Sequence, residues 1–394
     1  MSEEARAAAE HAARSSYGRL VALLAAPTGD LALAEDALAG AFEAALRHWP
    51  AQGVPDNPEG WLLTVARNRQ RDVWKSAAAR TSAPIDEGDA AYDPLADHDP
   101  LAIGERRLEL LFVCAHPAID PAARTPLMLQ VVMGFEAAEI ARAFAVPSST
   151  MAQRLVRAKR RIKNTRIPFS VPDRRVLPER LTAVLEAVYG CAAISTSAGE
   201  ARYLAVTLAA LLEDEAEAWA LAALTTLTLA RSRSRTGTFV PLEQQNPAEW
   251  DSQLLDEGEA LLRRARPSGP PGRFQLEAAI QAVHVDRRRT GSTDWAALNI
   301  LYTALLAVAP GLGAKVAAAV VTGRLHGPEA GLAQLPASGV ETFQPYWAAR
   351  ADLLARAGRE ATEAYRRAAD LAELAGDENG AQFLRSRPTP GSGS

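Results

Sequence analysis

A run of basic residues is the chemically most informative stretch of this chain. Residues 141–166 include eight lysines and arginines and no acid: Arg142, Arg154, Arg157, Lys159, Arg160, Arg161, Lys163 and Arg166. Such cations neutralise phosphates, and an arginine can also donate two hydrogen bonds to the edge of one base. The run therefore predicts contact with nucleic acid; the alternative is a solvated helix surface, which basic runs also form.

A short predicted helix precedes most of the run. Residues 135–144 place Ile140, Ala141 and Phe144 on one face at helical spacing. Pro147 follows in a tight turn, because proline cannot continue a helix but suits the entry to the next one.

A longer basic helix is predicted after that turn. Ser148 or Ser149 can cap its start by accepting a hydrogen bond from a backbone N–H. Met151, Leu155 and Ile162 form the predicted buried stripe, which leaves most of the basic residues on the other faces. This arrangement is typical of a DNA-reading helix-turn-helix, whose second helix enters the major groove. The alternative is an ordinary surface hairpin.

The composition of the whole chain predicts an all-α fold. The 394 residues suggest two or three domains, and the net charge of −4 hides strong local segregation. Helix-favouring alanine, leucine, arginine and glutamate dominate, and no strand-like alternation recurs. The two cysteines and the absence of a signal peptide or a membrane-spanning stretch predict a cytoplasmic protein.

Five segments follow from the composition. Helical patterns cover residues 1–80, broken around residues 27–29 and 50–58, and residues 81–100 form a linker with six acids and no lysine or arginine. Residues 101–168 contain the helix-turn-helix. A train of amphipathic helices covers residues 177–385, and residues 386–394 form a predicted disordered tail.

The ordered motifs resemble extracytoplasmic-function sigma factors. Residues 138–162 look like the DNA-binding region that recognises the −35 element. Leu33 to Phe42 is similar to the helix that binds the polymerase β′ clamp, and Gly60 to Asn68 resembles the helix that opens promoter DNA. The loop from Pro50 to Asn57 falls where the family holds a flipped-out base of the −10 element. Each motif is weak alone, but their order is specific.

This resemblance implies roles for individual residues. The implied base-reading positions are Ala152, Gln153, Val156 and Arg157, with phosphates held by Arg154, Lys159 and Arg160. The other implied DNA-binding residues are Thr150, Arg161, Lys163, Arg67 and Asn68. The implied polymerase-binding residues are Glu35, Asp36 and Phe42. The acidic linker would follow the path of the RNA in the polymerase.

A subgroup with a C-terminal domain of tetratricopeptide-like helices is the most similar. The implied architecture is two small helical domains, the second a helix-turn-helix, followed by that domain. The chain departs from the family at Ala39-Gly40, where a Gln-Glu pair is usual, and at several polar positions of the C-terminal domain. These losses predict a more apolar inner surface and a candidate pocket, or drift with the packing kept. The candidate pocket residues, which are core anchors in the alternative interpretation, are Trp219, Trp250, Trp295, Tyr302, Tyr346 and Trp347.

Three functions stay open at this stage. The leading hypothesis is a non-catalytic sigma factor whose partners are core RNA polymerase and promoter DNA, with the C-terminal domain regulating activity through a small-molecule ligand or a regulatory protein. The second is a sigma-like protein that binds or converts a small molecule, and the third is a scaffold that sequesters polymerase. No catalytic motif, metal-ligand set or cofactor-binding loop is present in the sequence, so we expect no cofactor.

Overall fold

A computed structural model describes residues 3–81, 100–144, 146–173, 175–193, 198–231, 239–266 and 269–387. Within these ranges every regular element is a helix, which confirms the all-α prediction. The chain divides into two compact units, residues 1–207 and 208–394. The acidic linker, apart from its two end residues, and the last seven residues of the predicted tail lie outside the described ranges.

The described residues of the first unit form eight helices and most of a ninth. They are α1 (Glu3–Ala25), α2 (Leu31–Gln52), α3 (Pro58–Thr81), α4 (Pro100–Cys114), α5 (Pro121–Val131), α6 (Ala137–Ala143), α7 (Ser148–Thr165), α8 (Leu177–Ala193) and α9 (Ala198–Leu211), of which α9 crosses the division between the units.

Local sequence explains where α2 and α3 begin. The Asp30 carboxylate accepts a hydrogen bond from the N–H of Leu33 and caps α2, and the Asn57 side chain accepts one from Gly60 at the start of α3. The break predicted around residues 27–29 is present between α1 and α2. The break predicted at residues 50–58 is also present but shorter, because α2 continues through Pro50 to Gln52 and α3 begins at Pro58.

The second unit is a succession of packed helices. They are α10 (Ala216–Ala230), α11 (Ser252–Arg264), α12 (Arg273–Thr290), α13 (Trp295–Val308), α14 (Leu312–His326), α15 (Pro328–Gln334), α16 (Gln344–Arg356), α17 (Thr362–Leu374) and α18 (Glu378–Arg385). Among the described residues between α10 and α11, two short 3-10 turns cover residues 242–244 and 247–249.

Helices α16 and α17 form a helical hairpin. Their facing sides bury a continuous set of small and apolar residues that includes Ala351, Leu354, Ala364 and Ala368. Small side chains let the two helices approach closely, and Gly358 supplies the left-handed turn between them (φ 66°). Among the described residues, no helix combines the length and apolar character needed to span a membrane.

Candidate nucleic-acid interface

The helix α7 presents two different sides. Met151, Leu155, Ala158 and Ile162 are buried, which confirms the predicted stripe and extends it by one alanine. Their spacing of three and four residues places them in one line, so the opposite side of the helix faces away from the core.

The start of α7 differs from the prediction. The helix begins at Ser148 with Pro147 as the capping residue, and no side chain caps its first turn, so the proposed role of Ser148 or Ser149 as a cap is wrong. The preceding helix α6 buries Ile140 and Ala141 as predicted. Phe144 is 39% exposed and does not share their buried face, because the helix has already ended at Ala143.

The outward side of α7 holds the predicted base-reading residues. Ala152, Gln153 and Arg157 are exposed, and Val156 is 56% exposed, which is a high value for a β-branched apolar side chain in a helix. Thr150 and Arg160 are exposed beside them. An exposed amide, guanidinium and valine on one helix can contact adenine, guanine and a thymine methyl group, respectively.

Two arginines of α7 bind within the unit. Arg154 donates from Nη1 to the carbonyl oxygen of Ala122 (3.3 Å), and Arg161 donates from Nε to that of Ala118 (3.3 Å). These carbonyls lie at and just before the start of α5. The two side chains therefore anchor α7 against this neighbour, a role that the resemblance did not imply.

Two lysines of α7 form ion pairs with α2. Lys159 Nζ lies 2.5 Å from Glu35 Oε2, and Lys163 Nζ lies 2.6 Å from Asp30 Oδ2. The Lys159 and Glu35 side chains are only 14% and 15% exposed, whereas Lys163 is 58% exposed. The structure thus joins residues 124 positions apart, one with an implied contact to DNA and one with an implied contact to polymerase.

The Glu35 carboxylate is surrounded by three helices. The hydroxyl of Tyr17 in α1 donates a hydrogen bond to it, in addition to the contact with Lys159 of α7. Burial raises the pKa of Glu35 above its usual range, although Lys159 and Tyr17 act in the opposite direction. Burial also raises the pKa of the fully buried Cys114 thiol. The charge of Glu35 raises this pKa further, and the charge of Lys159 lowers it. The charge of Glu35 is therefore held in a poorly solvated place.

Close backbone contact joins α1 to the end of α5. A Cβ atom at Gly18 would lie 1.8 Å from the carbonyl oxygen of Val132, so only glycine permits this approach. The buried guanidinium of Arg107 in α4 donates to the same carbonyl (3.4 Å). The parts of the chain that resemble the two sigma regions are thus packed together in the first unit.

The remaining residues of the predicted interface lie on α2 and α3. Asp36 is exposed and Phe42 is half-buried on α2, while Arg67 is half-buried and Asn68 exposed on α3. Trp61, near the start of α3, packs edge-on against Trp49 with ring centroids 5.5 Å apart.

A glycine of α2 packs against an arginine of α3. Gly40 lies beneath the guanidinium of Arg69, which would be 2.4 Å from a Cβ atom at this position. The unusual glycine at this site therefore gives space to an arginine of α3, a relation that the sequence did not reveal.

The six candidate pocket residues divide into two groups. Trp219, Trp250 and Tyr346 are buried in the core, and Trp347 packs beside Tyr346 with its indole N–H donating to the carbonyl of Glu341. Trp295 and Tyr302 line a cavity of about 510 Å³ in the second unit. Polar residues that sequence reasoning missed also line it, including Arg324, Asp352, Glu243 and His284. These residues are not spaced at a helical or strand period, so no pattern in the sequence groups them.

No cluster of three or more His, Cys, Asp or Glu side chains suited to a metal ion occurs in the part of the chain that the structure describes.

Comparison with known proteins identifies two sigma-factor regions in the first unit and a further family match at residues 180–266. The Sigma-70 region 2 model matches residues 13–80, and the Sigma-70 region 4 model matches residues 110–162. A family of unknown function (DUF6596) matches residues 180–266, from α8 to just beyond α11. No solved structure matches the chain.

Two curated proteins illustrate its relatives. The chain is 32% identical over 164 residues to the probable ECF RNA polymerase sigma factor SigI of Mycobacterium tuberculosis, a match that spans 40% of this chain and 55% of SigI. It is 35% identical over 372 residues to the uncharacterized protein R00370 of Rhizobium meliloti, covering 88% of both chains. The chain therefore belongs to the family of R00370, and it carries Sigma-70 region 2 followed by Sigma-70 region 4.

Proposed function

We propose that this protein is a sigma factor of the extracytoplasmic-function type, which directs core RNA polymerase to specific promoters. The outward face of α7 carries the proposal: Gln153, Val156 and Arg157 are exposed on the second helix of a Sigma-70 region 4. Such side chains can read base edges in the major groove. The similarity to SigI, whose name describes a probable sigma factor, supports the same function.

The proposal divides the roles among the segments. Residues 1–80 bind the core enzyme and the −10 element, and residues 101–168 bind the −35 element. Residues 81–100 join them as an acidic linker, and residues 177–385 regulate the activity as a helical domain of tetratricopeptide-like type.

A transcription assay tests this function. The purified chain is mixed with core polymerase, and transcripts are mapped on fragments of the genomic DNA, with Arg157→Ala as a variant of the base-reading face. We expect a stable complex and a small set of transcripts whose abundance falls in the variant. Failure to bind core enzyme at micromolar concentration would refute the proposal. Binding without promoter-dependent transcripts would instead favour a sequestering scaffold. The absence of both polymerase binding and transcripts would favour a sigma-like protein with a small-molecule function.

The contact between α2 and α7 supports a closed state of the free protein. While Lys159 pairs with Glu35, neither residue is available to its proposed external partner, the DNA phosphate or the polymerase clamp. Because the two sigma regions must reach separate promoter elements, this contact has to open before both are used. The apparent affinity for core enzyme is therefore the intrinsic affinity multiplied by the fraction of molecules that are open.

A further inference from the structure

The cavity in the second unit has the size of a small-molecule site. Its volume of about 510 Å³ lies within the range of roughly 300–1,000 Å³ that is typical of ligand pockets. Helices α12, α13, α14, α16, α17 and α18 contribute to its walls, together with residues 239–244. Because so many elements converge on it, the cavity is a feature of the packed unit rather than a groove along one helix.

Apolar side chains form most of two walls. Val316, Ala317 and Val320 project from α14, and Ala348 and Ala349 from α16. These short side chains leave space that longer ones would fill, so the cavity results from the choice of residues at these positions.

Aromatic rings form another part of the lining. Phe239 contacts Phe383 with ring centroids 5.1 Å apart, and Trp295 and Tyr302 project from α13. Planar side chains of this kind offer ring surfaces for stacking with an aromatic or polycyclic ligand.

The charged groups of the lining balance one another. The lining contains equal numbers of arginines and carboxylates. The arginines are Arg324, Arg356 and Arg387, and the carboxylates are Glu243, Asp352 and Asp377. Arg324 Nη2 lies 2.7 Å from Glu243 Oε1 and 3.5 Å from Asp352 Oδ2, and Arg356 Nε lies 2.8 Å from the same Asp352 oxygen. The four charged groups joined in this network compensate one another, so a charged ligand beside them would lose hydration without gaining a free counter-ion.

One donor of this network has no partner among the described residues. The Nε–H of Arg324 is buried without a hydrogen bond, while its guanidinium lies over the ring of Trp295 at 5.4 Å. His284 lies in the same lining, and burial lowers its pKa to about 4, so the ring is neutral near pH 7. Because the Nε atom is closed to solvent, it offers no donor to the cavity, and the neutral His284 ring adds no charge to the lining.

We propose that this cavity binds a small organic molecule that has no net charge and a largely apolar ring system. The apolar walls hold the ring system, and the mutually paired Glu243, Arg324, Asp352 and Arg356 disfavour a charged group beside them. The proposal does not depend on the sigma function, because binding is measured on the isolated full-length protein.

Nile red, a neutral, planar dye that contains a carbonyl group, is a suitable probe, and the anionic dye anilinonaphthalene sulfonate is the charged comparison. Titration of the full chain with Nile red should give saturable binding of one molecule, with a blue shift and an increase of its emission. The anionic dye should bind at least ten-fold more weakly. Equal or tighter binding of the anionic dye would overturn the assignment of an uncharged ligand.

Variants locate the binding. Ala317→Phe fills the cavity from α14 and should reduce Nile red affinity at least ten-fold, whereas Ala307→Phe makes the same change at an exposed position of α13 outside the lining and should leave it unchanged. Ala348→Phe fills the cavity from the opposite wall and is used if the first variant unfolds.

Two results would overturn the proposal. The first is the absence of saturable Nile red binding to the folded protein. The second is binding that both phenylalanine variants of the cavity leave unchanged while their circular dichroism spectra match that of the parent, since the dye would then bind elsewhere.

Discussion

The ion pair between Lys159 and Glu35 makes an asymmetric prediction about the closed state. Lys159→Gln leaves the Glu35 carboxylate poorly solvated and without its charged partner. Breaking a fully buried ion pair costs roughly 3–5 kcal/mol, and an unsatisfied buried polar group costs roughly 1–3 kcal/mol. Because both side chains keep about 15% of their exposure, we expect a loss of about 2 kcal/mol, which is about 30-fold in the equilibrium constant for opening.

Substitution of the other member of the ion pair should change the free energy of opening less. The raised pKa of Glu35 means that burial of its charge, together with repulsion by Asp36, outweighs the gain from Lys159 and Tyr17. Glu35→Gln removes that cost together with the ion pair, so the two contributions offset each other to within about 1 kcal/mol. Lys163→Gln is the matched control: the same substitution one turn further along α7 breaks a pair whose lysine is 58% exposed, and such pairs contribute less than about 1 kcal/mol.

Cys114 provides the assay. Its thiol is fully buried near the ion pair, so a thiol reagent modifies it only when the structure opens. In a background with Cys191→Ala, the modification rate of Cys114 should rise about 30-fold in Lys159→Gln and less than about five-fold in the other two variants. Equal rates in Lys159→Gln and Glu35→Gln, or no change in Lys159→Gln, would refute the reasoning.

Three further predictions follow from other parts of the chain. His284 has a pKa of about 4 in the folded protein, below the usual value near 6.5, so it stabilises the fold above pH 6.5 and that contribution is lost as the pH falls towards 4. Between pH 7.5 and 5 the loss should be about 2 kcal/mol, measured by thermal unfolding and absent in His284→Gln. Gly40→Ala should stabilise the protein by about 0.5 kcal/mol, because alanine favours the helix and the Arg69 guanidinium can move aside; a loss of more than about 1 kcal/mol in chemical denaturation would show that the Arg69 contact is structural. In DNA binding, Arg157→Ala should cost about 1–3 kcal/mol at one base pair, whereas Lys163→Ala should weaken all sequences alike and reduce the salt slope by about one; identical behaviour of both variants on specific and random DNA would contradict the base-reading assignment.

Local patterns determined much of the first unit. The helical spacing of Met151, Leu155 and Ile162 predicted the buried side of α7, and Pro147 predicted the turn before it. These features depend on residues within one or two helical turns, where backbone geometry dictates which side chains share a face. The exception is Pro50, which lies near the end of α2, where a missing N–H disturbs only the last turn of the helix.

Packing between distant segments decided the rest. No spacing rule joins Lys159 to Glu35, or Arg324 to Glu243, because such pairs form only when helices far apart in sequence pack side by side. The same holds for the aromatic residues: Trp219 and Trp295 both lie at helical spacing, yet one is in the core and the other lines the cavity. Residue type and local period are alike in both places. The sequence by itself therefore determined the helices and the basic face of α7, and the tertiary structure decided which charges are paired and where a cavity remains.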